Sequence, residues 1–188
     1  MVNDMIYLED NFLSKKVYDQ LLIDLTKSEY RKVTEGGKDF WIQTVSNEFI
    51  TYVEFLIGQI ENKEIKSILS FFRRANEDED TDWRIHADSI ITDRLPDRAA
   101  VLYLSKPTEN LSGTAFWKHK KLGYKLDNKK NFNKVLLEDS NDETKWELNT
   151  VIGHKENRLV SYPSNYFHSK YPNKHLNNRE VFVIFYNI

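Results

Sequence analysis

The chain contains no cysteine among its 188 residues. This absence excludes a disulfide framework, a thiolate metal site and a cysteine nucleophile. It also lacks a run that approaches the roughly 18 apolar residues of a membrane-spanning helix. The N-terminal stretch MVNDMIYLED has no apolar core of signal-peptide length. We therefore expect a cytoplasmic protein with no membrane partner.

A strong charge of either sign is also missing. The formal net charge is -2 and the sequence pI is about 6.2, so nothing global indicates nucleic acid or an anionic membrane as a partner. Hydrophobic residues make up 40% of the chain and charged residues 30%, as in ordinary globular proteins. The length suits one domain with a sizeable core, and we predict a single domain over residues 1–188.

The stretch WRIHADS at residues 83–89 contains the most informative candidate functional residues, His86 and Asp88. Trp83 and Ile85 are bulky or β-branched, which favours a β-strand. Residues two apart in a strand point to the same face, so His86 and Asp88 would present an imidazole and a carboxylate side by side. The alternative for His86 is a surface strand histidine beside an acid. A metal site would need a third ligand from elsewhere in the chain.

The far end of the chain offers that ligand in His168, and Arg179 follows eleven residues later at the start of the last predicted strand. Two histidines and one carboxylate with open coordination positions form the facial triad of non-haem Fe(II) oxygenases. The order His-x-Asp, distant His, then Arg resembles the 2-oxoglutarate- and Fe(II)-dependent oxygenases, in particular their prolyl-hydroxylase-like branch.

Two further segments carry this resemblance. Tyr103-Leu104-Ser105 is similar to the family's Tyr before Leu-Asn, and NRLVSYPS at residues 157–164 is similar to Gly-Arg-Leu-Val followed by an aromatic residue and Pro. Asn157 replaces the usual Gly, and Asn is the next best residue for a left-handed backbone. Val181 stands where some relatives have Ser or Thr.

The resemblance implies a cofactor set and a reaction. His86, Asp88 and His168 would hold Fe(II), which would be chelated by 2-oxoglutarate and would react with dioxygen as co-substrate. Arg179 would anchor the distal carboxylate of 2-oxoglutarate, with the Tyr103 hydroxyl assisting. Decarboxylation to succinate would then be coupled to oxidation of a substrate. The related halogenases lack the carboxylate ligand, so the presence of Asp88 favours hydroxylation, or oxidation that leads to demethylation.

The apolar periodicity predicts two helices before most of the strands. One would begin after an N-cap at Ser14 and run to about Lys27, and the second would span residues 45–60. Roughly eight strands complete the pattern. We predict an α+β or mainly β fold: a distorted double-stranded β-helix (jelly roll, cupin-like) with the N-terminal helices packed on one sheet.

The segment at about 118–150 is predicted to be an insertion on the barrel rim, partly helical in its second half. Its first part is rich in lysine: Lys118, Lys120, Lys121, Lys125, Lys129, Lys130 and Lys134. It is either a solvated loop or a basic lip that attracts an anionic substrate such as a nucleotide or an acidic peptide.

Two other classes of function fit part of the pattern. A non-catalytic jelly-roll module could keep the fold and a divalent ion, but such relatives usually lose a ligand or the arginine, and none is lost here. A zinc hydrolase could use two histidines and an aspartate, but the sequence has no His-Glu-x-x-His pattern and no evident general base. The substrate stays open among protein side chains, nucleotides, amino acids and small metabolites.

Overall fold

The computed structural model describes residues 4–35, 38–75, 82–88, 96–107, 112–127, 131–172 and 179–188. Within these ranges the chain is mainly β. The elements in chain order are β1 (Tyr7–Asp10), α1 (Lys15–Leu25), β2 (Arg31–Glu35), β3 (Lys38–Gln43), α2 (Asn47–Glu61), β4 (Lys66–Ala75), β5 (Arg98–Tyr103), β6 (Gly113–His119), α3 (Phe132–Lys134), a π-helical turn (Val135–Asp139), a 3-10 turn (Glu143–Lys145), β7 (Trp146–Gly153), β8 (Arg158–Pro163), β9 (His168–Tyr171) and β10 (Arg179–Asn187).

The strands form two antiparallel sheets. The major sheet has the order β1-β8-β5-β10-β4-β3-β2, and the minor sheet has the order β7-β6-β9. In the major sheet the closing strand β10 lies between β5 and β4, so its first residue, Arg179, is placed opposite Ala75 of β4. The last strand of the chain therefore lies at the centre of the sheet, with neighbours from distant parts of the sequence.

Two amphipathic helices cover the outer face of the major sheet. Both begin at serine N-caps, where Ser14 accepts a hydrogen bond from the Val17 N–H and Ser46 accepts one from the Phe49 N–H. Val53 and Ile57 of α2 are fully buried against this face. The predicted N-cap at Ser14 is confirmed, and the second helix lies within two residues of its predicted bounds. No helix in the described ranges combines the length and the apolar character needed to cross a membrane.

Strand β10 shows how the sheet separates two cores. Phe182, Ile184 and Tyr186 belong to the cluster under the helices. The alternate residues, Val181, Val183 and Phe185, belong to a second cluster on the inner face, together with Tyr103 and with Phe116 of the minor sheet. The sequence predicts this alternation, with Arg179, Val181, Val183 and Phe185 on one face of the last strand, and the structure confirms it. It places Arg179 on the inner face, between the two sheets.

Asn157 adopts the left-handed conformation that the sequence predicts, with φ of 57°. Its side chain also explains why asparagine is present instead of glycine. The amide Oδ1 accepts a hydrogen bond from the Leu13 N–H at 2.9 Å, and Nδ2 donates to the Leu13 carbonyl at 2.7 Å. Asn157 thereby joins the start of β8 to the segment that leads into α1.

The sequence did not indicate two of the strands. Residues 31–35 form β2, and residues 146–153 form β7 where partly helical structure was predicted. Residues 147–150 of β7 are all exposed, so β7 shows no apolar alternation and owes its conformation to pairing with β6. The helical prediction is confirmed only for the turns before Trp146. The sequence also predicts a loop over residues 35–39, a turn around Asp93–Asp97 that ends the His86 strand, and a turn over residues 171–178 that contains His175. Of these segments, residues 36–37, 89–95 and 173–178 lie outside the described residues.

A buried ion pair links α2 to the major sheet. The side chain of Arg98 is 0% exposed and that of Glu61 is 2% exposed, and Arg98 Nε lies 2.9 Å from Glu61 Oε1. The remaining polar groups are also satisfied, because Ser161 Oγ and the Tyr186 hydroxyl bond to Glu61, and Arg98 Nη2 donates to the Met5 carbonyl. The fully bonded cation ties the N-terminal segment, α2 and β5 together.

We expect Asn157→Gly to lower the free energy of unfolding by about 2 kcal/mol. Glycine keeps the left-handed backbone, but both hydrogen bonds to Leu13 are lost. Urea denaturation measures the change. The matched control is Asn62→Gly, because Asn62 also has a positive φ of 53° and caps α2, so glycine there should be neutral. Equal effects at the two positions would show that the Leu13 bonds contribute nothing.

We expect Glu61→Gln to destabilise the fold by about 3 kcal/mol, since it leaves the buried Arg98 charge without its counter-ion. Thermal and urea unfolding would measure this loss. Glu64→Gln, which makes the same chemical change at an exposed position, should leave stability unchanged. A Glu61→Gln protein as stable as the wild type would contradict the argument.

Candidate metal centre

Backbone hydrogen bonds to three separate segments hold residues 82–88. The Ile85 N–H donates to the Ser140 carbonyl at 2.9 Å, the Asp88 N–H donates to the Ser164 carbonyl at 2.7 Å, and His86 exchanges two bonds with His168, at 3.0 and 2.8 Å. The segment is therefore extended, as predicted, although within the described residues only the His86–His168 bridge joins it to a strand.

The two faces of this segment have different surroundings. Ile85 and Ala87 are buried in a third apolar cluster, formed with Leu126, Val135, Trp146 and Phe167. Because alternate residues of an extended chain point in opposite directions, His86 and Asp88 face away from this cluster. They lie beside each other, as the sequence predicted.

His168 completes the group. His168 Nε2 lies 3.1 Å from Asp88 Oδ2, and His86 Nε2 lies 3.4 Å from Asp88 Oδ1. The three potential ligand atoms all lie within 4.8 Å of one another, the only such group found among the described residues. Adjacent ligands about 2.1 Å from one ion are about 3 Å apart, so the group has the dimensions of a mononuclear site.

The other nitrogen of each imidazole fixes its tautomer. His86 Nδ1 lies 2.9 Å from the Arg84 carbonyl, and His168 Nδ1 lies 2.9 Å from the Tyr166 carbonyl. A carbonyl oxygen can only accept, so each Nδ1 carries the proton and each Nε2 has a lone pair for a metal. Both bonds reach the carbonyl two residues earlier, which orients the rings through the main chain.

The charges around the triad favour an ionised carboxylate. Burial opposes the charge of Asp88, but His168 and His86 outweigh it and hold the pKa of the Asp88 carboxyl well below its usual range. Burial also opposes a charged His86, yet the hydrogen bond and charge of Asp88 raise the pKa of His86 above its ordinary value. Asp82 is buried and bonded to Arg84 Nε at 2.6 Å, which fixes the residue whose carbonyl orients His86.

Arg179 and Tyr103 meet on the same inner face of the major sheet. The Arg179 guanidinium carbon lies 5.3 Å from the centroid of the Tyr103 ring. The buried Arg179 Nε has no hydrogen-bond partner in the described structure, and no described acid forms an ion pair with Arg179. Burial lowers the pKa of Arg179, which is the expected result for a cation without a counter-ion. The Tyr103 hydroxyl bonds to Thr114 Oγ1 at 2.8 Å.

The segment predicted to be an insertion, residues 118–150, includes the end of β6 and the start of β7 and packs against the side of the ligand segment that carries Ile85 and Ala87. Val135 and Trp146 pack on Ile85 and Ala87, and Ser140 accepts the Ile85 N–H. The insertion also contains a buried pair that the sequence did not suggest, with His119 Nε2 lying 3.4 Å from Asp139 Oδ2. His119 Nδ1 accepts two backbone N–H bonds, so this histidine has a structural role at the end of β6.

Two cavities in the described structure differ in their relation to the triad. One of about 450 Å³ lies beside α1 and is lined by Tyr30, Arg74 and Glu180. Arg74 and Glu180 directly follow Arg73 and Arg179 in their strands, so this cavity opens on the outer face. A narrow cleft with no room for a water molecule lies beside His86 and is lined by Ala87, Leu126, Phe132, Val135 and Leu136. The donor set, and not cavity size, identifies the functional centre.

Solved structures of 2-oxoglutarate/Fe(II) oxygenases share this fold. A prolyl-4-hydroxylase from Pseudomonas putida is 13% identical, with 97% of this chain and 92% of that chain covered and a TM-score of 0.54. HygX from Streptomyces hygroscopicus, solved with nickel, 2-oxoglutarate and hygromycin B bound, is 11% identical, with 96% and 82% covered and a TM-score of 0.60. The epimerase SnoN from nogalamycin biosynthesis, solved with Fe3+, α-ketoglutarate and nogalamycin RO, is 12% identical, with 97% and 78% covered and a TM-score of 0.62.

At the level of sequence, residues 42–178 match a family of unknown function, DUF6445. The match covers most of the chain, and the chain belongs to this family. The matched region includes His86, Asp88, Tyr103 and His168, and it ends one residue before Arg179. No curated protein matches the sequence.

We expect the wild-type protein to bind one divalent ion, and Asp88→Ala to weaken that binding by more than about 100-fold, since the change removes a direct ligand. Anaerobic calorimetric titration with Fe(II), and with Ni(II) as a redox-inert substitute, measures the affinity. Asp19→Ala, at an exposed position on α1, serves as the control and should bind as the wild type does. Equal affinities in Asp88→Ala and the wild type would show that the ion binds elsewhere.

Proposed function

We propose that this chain is a 2-oxoglutarate- and Fe(II)-dependent dioxygenase, and specifically a hydroxylase. One observation carries the proposal. The inner surface between the sheets holds a His-Asp-His group with fixed tautomers and a buried arginine that has no acidic partner among the described residues. The shared fold with oxygenases that contain iron or nickel and 2-oxoglutarate supports it.

The residues fit Fe(II). His86 Nε2, Asp88 and His168 Nε2 would hold the ion, and two neutral imidazoles with one carboxylate suit iron of this oxidation state. The Arg84 and Tyr166 carbonyls keep both Nε2 lone pairs available. Three protein ligands on one side leave the remaining positions to ligands from solution.

The residues also fit 2-oxoglutarate. A buried guanidinium with an unbonded Nε is costly unless an anion completes it. A carboxylate is the natural partner, because the planar fork of arginine can bond both of its oxygens. We assign Arg179 to the distal carboxylate of the co-substrate and Tyr103 to an assisting role beside it.

Bound Fe(II) and 2-oxoglutarate would supply the oxidising chemistry, in which decarboxylation to succinate is coupled to oxidation of a substrate by dioxygen. The chain contributes positioning and exclusion of water. Phe116 and Tyr162 pack around His168, with ring centroids 6.4 and 4.7 Å from its imidazole. Asp88 occupies the place that a halide would need, which favours hydroxylation. We further propose that the two sheets are the halves of a distorted double-stranded β-helix.

The lysine-rich stretch at residues 118–134 was expected to attract an anionic substrate, but fewer of its lysines are available for this than the sequence suggests. Lys118 pairs with Glu147 and Lys125 pairs with Asp4, each at 3.2 Å, whereas Lys129 and Lys130 lie outside the described residues. Lys120, Lys121 and Lys134 form no salt bridge within 4.0 Å among the residues described here. We propose that these three lysines supply the positive charge that would attract an anionic substrate to this part of the surface.

The decisive experiment is anaerobic addition of Fe(II) and then 2-oxoglutarate, followed by visible spectroscopy. We expect a metal-to-ligand charge-transfer band in the wild type and none in His168→Ala. Arg179→Ala should need at least about tenfold more 2-oxoglutarate for half-saturation, since a charge-assisted bidentate contact is lost. Arg31→Ala changes an exposed arginine of β2 and should titrate as the wild type does.

Succinate formation from 2-oxoglutarate in air provides an independent readout. A folded wild-type protein that binds Fe(II) but shows neither the band nor succinate would overturn the proposal. The non-catalytic binding module would then become the better description.

A further inference from the structure

His154 lies directly after β7 and contacts the residue that the proposed function places beside the co-substrate. Its ring stacks on Tyr103, with centroids 4.5 Å apart and an angle of 20° between the planes. The same Tyr103 ring carries the cation–π contact with Arg179. The Tyr103 ring therefore contacts both His154, which follows β7 of the minor sheet, and the buried Arg179 of β10.

Hydrogen bonds hold the imidazole in this position. His154 Nε2–H donates to the Ser105 carbonyl at 2.6 Å, and the His154 backbone N–H donates to the Ser112 carbonyl at 2.6 Å. Ser105 Oγ in turn accepts the Glu180 N–H at 3.0 Å. The contacts of His154 thus reach the main chain at Ser105 and Ser112, both after Tyr103, and through Ser105 they reach Glu180, the residue after Arg179.

The surroundings keep His154 neutral. Burial, reinforced by the charge of Arg179, lowers the pKa of His154 to about 4, so the ring carries no charge at neutral pH. A neutral ring stacks on tyrosine without placing a second cation beside Arg179. The Tyr103 hydroxyl is directed by its bond to Thr114, so the ring is restrained at its face and at its tip.

We propose that His154 is a positioning residue of the 2-oxoglutarate pocket, which holds the Tyr103 ring by stacking so that Tyr103 and Arg179 present one fixed surface to the distal carboxylate. This inference rests on the proposed function. Because the Tyr103 ring is already ordered, binding of 2-oxoglutarate loses no free energy to ordering that ring. His154 therefore affects the affinity for 2-oxoglutarate and not the affinity for the metal.

Three substitutions separate the stack from the hydrogen bond. His154→Phe keeps a flat ring and removes the N–H, His154→Gln keeps an N–H donor and removes the ring, and His154→Ala removes both. The anaerobic charge-transfer titration gives the dissociation constant for 2-oxoglutarate. We expect it to rise about five- to tenfold in His154→Ala and His154→Gln, and to stay within about twofold of the wild type in His154→Phe. The Fe(II) affinity should be unchanged in all three.

A double-mutant cycle tests whether His154 acts through Tyr103. In a Tyr103→Leu background, His154→Ala should have no further effect on the 2-oxoglutarate dissociation constant. In steady state, the KM for 2-oxoglutarate should rise in His154→Ala while kcat stays close to the wild-type value. A residue needed only for folding would lower the melting temperature without this selective change.

The outcomes distinguish this inference from the proposed function. Absence of the band in the wild type overturns the function itself. A wild-type band with an unchanged titration in His154→Ala overturns only the role of His154. If His154→Ala fails to fold, the comparison of Phe with Gln decides, and tighter binding by the Gln variant than by the Phe variant would rule out stacking as the cause.

Discussion

The candidate metal centre depends on one antiparallel pair of backbone hydrogen bonds, those between His86 and His168. The two histidines come from distant parts of the sequence, and no local interaction would bring them together. Once paired, their side chains lie beside each other, and Asp88 joins them because it is two residues from His86. The orientation of both rings then follows from carbonyls in the same two segments. The triad geometry is thus largely a property of the main chain.

Two buried arginines show how differently one side chain can be used. Arg98 pairs with Glu61 and donates hydrogen bonds to Ser161 and to the Met5 carbonyl, so its charge and its donors are satisfied within the fold. Arg179 is equally buried, but its guanidinium meets an aromatic ring and no acid among the described residues. Stability alone explains the first arrangement. Under the proposed function, the carboxylate of the co-substrate would supply the partner that Arg179 lacks among the described residues.

Much of this arrangement could be predicted from the sequence, because it depends on local rules. The serine cap of α1, the left-handed Asn157, the alternation in β10 and the inward position of Tyr103 all follow from residue type and spacing. The strand β7, the Ser140 contact with Ile85 and the stack of His154 on Tyr103 could not be predicted. Each depends on a partner that is remote in sequence and carries no periodic pattern of its own. Two of these unpredicted features, Trp146 at the start of β7 and the Ser140 carbonyl, contact the segment that carries His86 and Asp88.

The segment at residues 118–150 lies against the candidate ligand segment, and this affects how sequence changes in it should be interpreted. Its apolar residues touch the reverse side of the ligand segment, at Ile85 and Ala87. Under the proposed function, a substitution that loosens this packing would therefore alter the rigidity with which His86 and Asp88 are presented to a metal ion. Sequence changes at Leu126, Val135 or Trp146 would consequently act on the geometry of the candidate metal site, because these residues share one apolar cluster with Ile85 and Ala87.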